Sequence, residues 1–586
     1  MSERAFYLDG PVAGVFALLN EPRNAGTARP VLLLAPFGWE DMCSYRSRRE
    51  WALHLAAGGR TVLRIDLPGS GDSAGRPADP GLVASWLAAV EMAARWLAAR
   101  TGTDAVAAIG PGLGGLLACA AASRGAPIDE LVLWNAPASG RAVVRAVKAA
   151  GVMEVSARGD AAGRRDDGTL AASGYALSAA TAGELADLGV GAPAIRRALL
   201  LGRDGLPVDK ELVTALTAAR VEVSSADGPG YGQMTIEPQD ARPPMQVFEL
   251  VDEWLSPQAA PRESPPACQT VAKEQLELDG LAERPLRIDS PSGPLFGILT
   301  EPETRSGDLA VLFLNAGPQR RSGPNRMWVE AARRWADAGV PSLRVDLRAI
   351  GDSDGDASAL ARIDAFYTDA YVAQTHAVLD ELERRGLGPR IMVVGLCAGC
   401  YWATHAAQAD RRITTLALLN PRSLVWDEGA TGMRRARELR RMMARRSSWA
   451  RLLRGQVTPA RHLETARAVA TEARSAPVRM GRRLGGRGHT AHPATELFDG
   501  LRDQDQQVTL VFTTDEPLLN ELRARGHGDL SDWPNLKLEE IDTGTEAHTL
   551  VPLGAQRRVH EILDATLASA RDQPRGDGGA ASASAI

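Results

Sequence analysis

The chain has 586 residues, of which 45% are apolar and 24% are charged, and its formal net charge at pH 7 is −5. This length exceeds what one hydrophobic core supports and suits two domains of about 250 to 300 residues. The composition is that of a globular protein, and so small a charge over so long a chain excludes a general attraction to nucleic acid or to anionic membranes.

The cysteines and the first residues indicate the compartment. The five cysteines are odd in number and irregularly spaced, and residues 1–6 contain no apolar export segment. The longest weakly polar run, residues 104–123, is interrupted by Pro111 and several glycines, which does not suit a membrane span. We therefore expect a soluble, cytoplasmic protein with reduced thiols and with neither nucleic acid nor a membrane as partner.

Short apolar runs alternate with stretches of helical period along both halves. In the first half the apolar runs are residues 31–34, 61–65, 104–109 and 131–134, and residues 83–100 have helical periodicity. In the second half they are residues 309–314, 342–345, 390–394, 415–419 and 508–512. This alternation is typical of βαβ units and predicts a doubly wound α/β domain in each half, with a parallel sheet buried on both faces.

The two halves also share motifs. Arg64-Ile65-Asp66-Leu67 and Gly71-Asp72-Ser73 recur as Arg344-Val345-Asp346-Leu347 and Gly351-Asp352-Ser353. We infer a tandem duplication, with a first domain at 1–255, a proline-rich linker at 256–275, a second domain at 276–570 and a disordered tail at 571–586. Because the Gly-Asp-Ser turn occurs in both halves, we interpret it as a structural turn that opens a helix and carries no chemistry.

The most informative motif is Gly395-Leu396-Cys397-Ala398-Gly399, which follows an apolar run and precedes an alanine-rich helical stretch. Small residues two positions either side of Cys397 allow the sharp strand-to-helix turn that holds a nucleophile in a strained conformation. The equivalent segment of the first half, Gly110-Pro111-Gly112-Leu113-Gly114, keeps this frame but has Gly112 at the nucleophile position.

A thiolate nucleophile needs a base and a carboxylate that orients the base. Asp515 follows the run 508–512, and His548 follows the run 536–541, so the chain order is nucleophile, acid, histidine. We predict a triad of Cys397, His548 and Asp515. An alternative is that Asp515 caps a helix while Glu516 orients the histidine.

Other interpretations of Cys397 stay open at this point. It could be a buried structural thiol, as cysteines often are. The spacing Cys397-x-x-Cys400 also matches a redox motif, although redox chemistry would not require the aspartate and histidine that follow.

With its elbow and downstream acid and histidine, the chain resembles the α/β-hydrolase superfamily in both halves. The second half is similar to members that combine such an elbow with Asn315-Ala316-Gly317 and Gly323-Pro324-Asn325-Arg326. The resemblance implies an oxyanion hole formed by the amide of Ala398 and one near Ala316 or Gly317. A cysteine nucleophile is similar to that of dienelactone hydrolases and of some acyl shuttles that act on carrier proteins.

The first half lacks most of the triad. Asp204 holds the acid position, residues 227–234 contain no histidine where the His548 loop would be, and His54 lies on a stretch of helical period. We therefore predict a degenerate first domain.

Residues 434–487 carry sixteen arginines against Glu438, Glu464 and Glu472, within a region where these hydrolases place a cap, here about 425–495. The segment could be a solvated basic surface or a helical cap that docks an acidic partner.

We expect an acyltransferase or thioesterase that forms an acyl-Cys397 intermediate from a small acyl substrate. That substrate would be carried as a thioester by coenzyme A or by the phosphopantetheine of an acidic carrier protein, with no cofactor or metal. The alternatives are a dienelactone-type ester or lactone hydrolase and a non-catalytic binding protein.

Overall fold

The computed structural model describes residues 2–23, 28–158, 169–256, 269–426, 494–527, 530–545 and 547–573. The expected cap and its basic segment lie outside these residues, as do most of the expected linker and tail.

The described part of the first half contains ten strands and eight helices. The strands are β1 (Ser2–Asp9), β2 (Val15–Glu21), β3 (Val31–Leu33), β4 (Val62–Ile65), β5 (Val106–Pro111), β6 (Ile128–Trp134), β7 (Leu170–Ala172), β8 (Tyr175–Leu177), β9 (Arg197–Leu201) and β10 (Glu222–Ala226). The helices are α1 (Trp39–Ala57), α2 (Leu82–Thr101), α3 (Leu113–Ser123), α4 (Gly140–Arg158), α5 (Ala179–Asp187), α6 (Lys210–Ala218), α7 (Tyr231–Met234) and α8 (Met245–Trp254).

The described part of the second half repeats this element order. Its strands are β11 (Val271–Lys273), β12 (Leu276–Leu278), β13 (Leu281–Ile288), β14 (Leu295–Pro302), β15 (Leu309–Leu314), β16 (Ser342–Asp346), β17 (Arg390–Leu396), β18 (Ile413–Leu419), β19 (Gln507–Thr513) and β20 (Leu536–Ile541). Its helices are α9 (Met327–Asp337), α10 (Asp369–Arg384), α11 (Ala398–Ala409), α12 (Ala494–Asp503), α13 (Pro517–Arg523) and α14 (Leu553–Asp572), with 3₁₀ turns at Pro324–Arg326, Ala357–Ala361 and Ile363–Phe366.

Each half forms a nine-stranded sheet. The strand orders are β10-β9-β6-β5-β3-β4-β2-β1-β11 and β12-β13-β14-β16-β15-β17-β18-β19-β20. All the predicted strands are present, and the α/β class is confirmed in both halves. The sheets are mixed, however, because β1, β2 and β11 in the first sheet and β12, β13 and β14 in the second pair antiparallel. Strand β11 follows the first domain in the chain yet pairs with β1, so it belongs to the first sheet.

Helices cover both faces of each sheet, which explains why the central strands have nearly continuous apolar sequences. In β15, Leu312 and Leu314 pack in a core with helices α10, α11 and α12. Their neighbours Val311 and Phe313 pack on the opposite face with helices α9 and α14. Helix α2 is long and apolar enough to cross a membrane by length and composition, but 61% of its apolar window is buried inside the protein, as in a core helix.

The two halves meet through reciprocal contacts. Arg64 of the first half donates to Asp352 of the second at 2.9 Å, and Arg344 of the second donates to Asp72 of the first at 2.6 Å. Arg344 lies 280 positions after its equivalent Arg64, and Asp352 lies 280 positions after its equivalent Asp72. Such reciprocity is the pattern of a twofold, isologous interface. The prediction that the Gly-Asp-Ser turns act as helix caps was wrong, because their aspartates form this interface.

Apolar side chains and further buried charges complete the interface. Phe16 and Phe296 pack edge to face with ring centroids 6.4 Å apart, within a cluster that both halves supply. Arg321 is fully buried and pairs with both Asp72 and Asp352, at 2.7 and 2.8 Å. Arg326, from the Gly-Pro-Asn-Arg motif, donates to the carbonyls of Gly71 and Ser73.

Candidate active site

Cys397 lies in a strained turn between β17 and α11. Its φ and ψ are 55° and −110°, in a region that residues with a side chain rarely adopt, and its amide donates to the carbonyl of Leu419 at 3.0 Å. The flanking glycines are required sterically. A Cβ at Gly395 would lie 2.7 Å from the backbone of Gly399, and one at Gly399 would lie 2.8 Å from the carbonyl oxygen of Asn315. The turn therefore has the strained strand-to-helix geometry that the sequence predicted, with a cysteine at its tip.

His548 lies next to Cys397, and its other side contacts a carboxylate. Nδ1 of His548 is 3.0 Å from Oε1 and 3.0 Å from Oε2 of Glu516. Nε2 of His548 is buried and has no nitrogen or oxygen partner among the described residues, while the imidazole interacts with the Cys397 thiol. The structure therefore brings the predicted nucleophile and the predicted base together.

The carboxylate that contacts His548 belongs to Glu516 and not to the predicted acid, Asp515. Asp515 is exposed and takes a left-handed conformation with φ 66°, whereas the side chain of Glu516 is 1% exposed. The sharp turn after β19 directs the aspartate to solvent and the glutamate to the histidine. The expectation that Asp515 orients His548 is thus corrected to Glu516, the alternative that the sequence had left open.

The charges of the site favour a thiolate and an imidazolium. Burial alone would raise the pKa of the Cys397 thiol, but the charge on His548 and a hydrogen bond with it lower this pKa below its usual value, with further help from Arg422 and the amide of Ala398. Burial alone would lower the pKa of His548, but Cys397 and Glu516 raise it to about 10. The thiol is thereby activated by its partners, as nucleophilic cysteines require.

Among the described residues, Cys400 has no disulfide partner. Its Sγ donates to the carbonyls of Gly395 and Leu419, both at 3.3 Å, and burial raises the pKa of its thiol well above the usual value. Both Cys397 and Cys400 are free thiols. This arrangement does not support the redox interpretation of the Cys-x-x-Cys spacing.

Asn420, which the sequence analysis missed, connects the loops that carry the acid and the base. It follows β18 with φ 44°, its Nδ2 donates to the carbonyl of His548 at 3.0 Å, and its Oδ1 accepts from the amide of Thr513 at 2.8 Å. The recurrence of an asparagine after the corresponding strand of each half, Asn135 and Asn420, was the available signal.

The predicted oxyanion donors lie around the elbow. The amide of Ala398, the first residue of α11, points at the Cys397 sulfur. The loop that contains Ala316 and Gly317 runs against the same helix end, since the carbonyl of Asn315 contacts Gly399. Gly317 has a φ of 52°, which a side chain would disfavour.

Tyr367 is a second residue that the sequence analysis missed. Its hydroxyl is buried beside Cys397 and has no nitrogen or oxygen partner among the described residues. Its ring stacks on Trp426 at 4.1 Å and packs edge to face on Tyr401 at 5.3 Å. Burial, together with the charge on Cys397, raises the pKa of Tyr367 well above 10, so the hydroxyl remains a donor. No sequence motif marked this tyrosine.

In the first half, the equivalent elbow carries no reactive group. Gly112 has φ 53° and ψ −126°, close to the values of Cys397. A Cβ there would lie 3.0 Å from the hydroxyl of Tyr231 and 3.3 Å from Oε2 of Glu40, so a tyrosine and a glutamate occupy the space beside the elbow. Asp204, at the acid position, accepts from the amides of Gly230 and Gly232 at 2.6 and 2.7 Å. His54 lies on α1.

Among the described residues, no group of three or more histidine, cysteine, aspartate or glutamate side chains could hold a metal ion.

No protein-family model matches the chain, and no curated protein matches it. Among solved structures it is similar to a dienelactone hydrolase from Anabaena variabilis, with 13% identity, coverage of 50% of this chain and 98% of that one, and a TM-score of 0.31. It is also similar to an α/β serine hydrolase homologue from Coxiella burnetii (13% identity, 48% and 97% covered, TM-score 0.29). An esterase from Pyrococcus furiosus gives 16% identity, 48% and 92% covered, and a TM-score of 0.32. Similarities this low assign no activity to the chain.

Proposed function

We propose that the second half is an α/β-hydrolase domain that transfers or hydrolyses acyl groups through an acyl-Cys397 intermediate. The observation that carries this proposal is the contact of His548 with Glu516 on one side and with the Cys397 thiol on the other. A strained nucleophile, a base and an orienting carboxylate, in that chain order, form the arrangement used for covalent acyl chemistry. The repeated element order further supports a tandem duplication whose first copy has lost its nucleophile.

The proposed reaction has two steps. The Cys397 thiolate attacks the acyl carbon, and the amide of Ala398 with one near Ala316 or Gly317 stabilises the oxyanion that forms. The carbon–leaving group bond then breaks, and the proton held by His548 goes to the leaving group. In the second step His548 takes a proton from water or another acceptor, which attacks the thioester and releases Cys397.

A thioester is the substrate class that suits a thiol nucleophile best. Exchange of one thioester for another is nearly neutral in energy, so the acyl group can pass on to a thiol, an amine, an alcohol or water. We propose a substrate carried by coenzyme A or by an acidic carrier protein in the cytoplasm, attracted by the basic segment 434–487 of the sequence.

Intact-mass spectrometry after incubation with acetyl- and palmitoyl-coenzyme A tests the proposal. We expect an added acyl mass on the wild type and on Cys400→Ala, and none on Cys397→Ala. Turnover of enol-lactones or simple esters without an adduct from either thioester would favour the dienelactone-type alternative. No adduct and no turnover with any ester or thioester would favour a binding protein.

If the basic segment attracts the substrate, rising salt should raise the KM for coenzyme A thioesters more than the KM for p-nitrophenyl acetate.

A further inference from the structure

The first half contains a cavity of about 660 Å³ over its degenerate elbow, which falls within the range of small-molecule sites. Its floor includes Gly112, Asn135 and Glu40, and its walls come from α4, α6 and the β7–β8 hairpin. A site that had simply decayed would be expected to fill with side chains, because protein interiors pack closely. The degenerate half has lost its nucleophile and kept its pocket.

The walls of this cavity are mostly aliphatic. They include Val143 and Val147 of α4, Leu212 of α6, and Leu113 at the start of α3. Val143 and Val147 are only partly buried by the rest of the protein. An occupant with an alkyl body would cover this apolar surface, at a gain of about 25 cal/mol per Å² removed from water.

The polar end of the cavity is formed by Glu40 and Arg203, both of which contact Tyr231. The Tyr231 hydroxyl, which is fully buried, donates to Oε2 of Glu40 at 2.8 Å. Arg203 approaches Oε1 of Glu40 at 3.5 Å and lies over the Tyr231 ring at 4.9 Å. This network fixes the carboxylate of Glu40 beside Gly112, where a Cβ would lie 3.3 Å from its Oε2.

The charge at this end disfavours an anion. The charged side chains among the described residues that line the cavity are two carboxylates, Glu40 and Asp209, and one guanidinium, Arg203; the Asp209 carboxylate caps α6 and accepts from the amide of Glu211 at 2.9 Å. A further carboxylate, Asp204, lies beside Arg203 at 4.0 Å. A carboxylate ligand would therefore meet net negative charge, whereas an amine would both donate to Glu40 and gain a favourable charge interaction.

We propose that the first half binds a small molecule with an alkyl body and a hydrogen-bond-donating, preferentially cationic head, held over Gly112 by Glu40. The site is separate from Cys397 and does not depend on the proposed acyl chemistry. Because its elbow carries Gly112 and its described lining residues include no histidine, it retains its ligand unchanged.

Isothermal titration calorimetry of the full chain with decylamine, 1-decanol and decanoate tests this site. We expect decylamine to bind at least about tenfold more tightly than decanoate, with decanol between them. Glu40→Gln should reduce the difference between decylamine and decanol, because it removes the charge and keeps the side-chain shape. Equal or tighter binding of decanoate would overturn the proposal.

Substitutions that fill the cavity test whether the ligand binds inside it. Val147→Trp and Ala142→Trp, two independent positions on α4 that line the cavity, should each weaken decylamine binding at least about tenfold. Ala149→Trp, at an exposed position of the same helix outside the lining, is the matched control and should leave binding unchanged. Protection of Cys43 and Cys119, the buried thiols of the first half, from alkylation reports that each variant is folded. Binding that survives in both cavity variants would place the ligand elsewhere and refute the proposal.

Discussion

Nδ1 of His548 lies 3.0 Å from both carboxylate oxygens of Glu516, while the adjacent Asp515 is exposed to solvent. A bidentate contact of this kind holds the imidazole in one orientation and stabilises the imidazolium. The two neighbouring carboxylates thus differ in what they can do, and they provide a matched pair of variants.

Glu516→Gln should lower kcat/KM for an acyl substrate by about 10²- to 10⁴-fold, since the amide neither stabilises the imidazolium nor enforces its tautomer. Asp515→Asn should change it by less than about threefold. Steady-state kinetics of both variants checks this. A larger loss of kcat/KM in Asp515→Asn than in Glu516→Gln would identify Asp515 as the acid.

Cys397 should react with iodoacetamide faster at pH 7 than an ordinary thiol, because its pKa is lowered and a thiolate therefore forms at lower pH. Burial raises the pKa of Cys119 to about 12 and that of Cys43 above its usual range, so these thiols should stay unlabelled in the folded protein. His548→Gln removes the cation and leaves burial to raise the pKa of Cys397, which should slow labelling at pH 7 at least about tenfold. Peptide mapping of the labelled protein checks this, and labelling of Cys397 that begins only above pH 9 would contradict it.

Tyr367→Phe should lower kcat for p-nitrophenyl acetate about tenfold or more, since the buried hydroxyl beside Cys397 can donate to the oxygen that becomes negative. The iodoacetamide rate of Cys397 should change little, because alkylation forms no oxyanion. Tyr401→Phe is the control, since its ring packs on Tyr367 and would be kept. An equal loss in both variants would indicate that packing, and not the Tyr367 hydroxyl, is responsible.

Arg344→Met should destabilise the protein by about 3–5 kcal/mol, because it removes one of the two buried guanidiniums that pair with Asp72 and one of the two that pair with Glu283. Arg558→Met removes a guanidinium that is 50% exposed and should cost less than about 1 kcal/mol. Urea unfolding followed by tryptophan fluorescence compares the two. Similar small losses would show that the charges between the halves contribute little to stability.

Gly112→Cys should not create an acyl-enzyme in the first half. The new Cβ would lie 3.3 Å from the carboxylate of Glu40, which would raise the pKa of a thiol there, and the adjacent group is the Tyr231 hydroxyl in place of an imidazole. Intact-mass spectrometry of Gly112→Cys/Cys397→Ala with acetyl-coenzyme A checks this. An acyl adduct on the double variant would contradict it.

The sequence by itself determined the elements and the tip of the elbow. Apolar runs bounded by turn residues predicted the central strands because those strands are buried on both faces, and the glycines around Cys397 predicted the elbow because no larger residue fits there. The absence of a histidine from residues 227–234 likewise indicated a degenerate first half.

Tertiary structure decided which side chains meet. The choice between Asp515 and Glu516 depends on the backbone of the turn after β19, where Asp515 has a φ of 66°, and composition does not encode this conformation. Tyr367 lies next to Cys397 although the two are far apart in the sequence. Asn420 is likewise far in sequence from Thr513 and His548, whose loops it connects. The aspartates of the Gly-Asp-Ser turns resemble helix caps locally, and the contact between the halves supplies Arg344 to Asp72 and Arg64 to Asp352. Local patterns specify local conformation, whereas a site made of long-range contacts exists only once the sheets have packed.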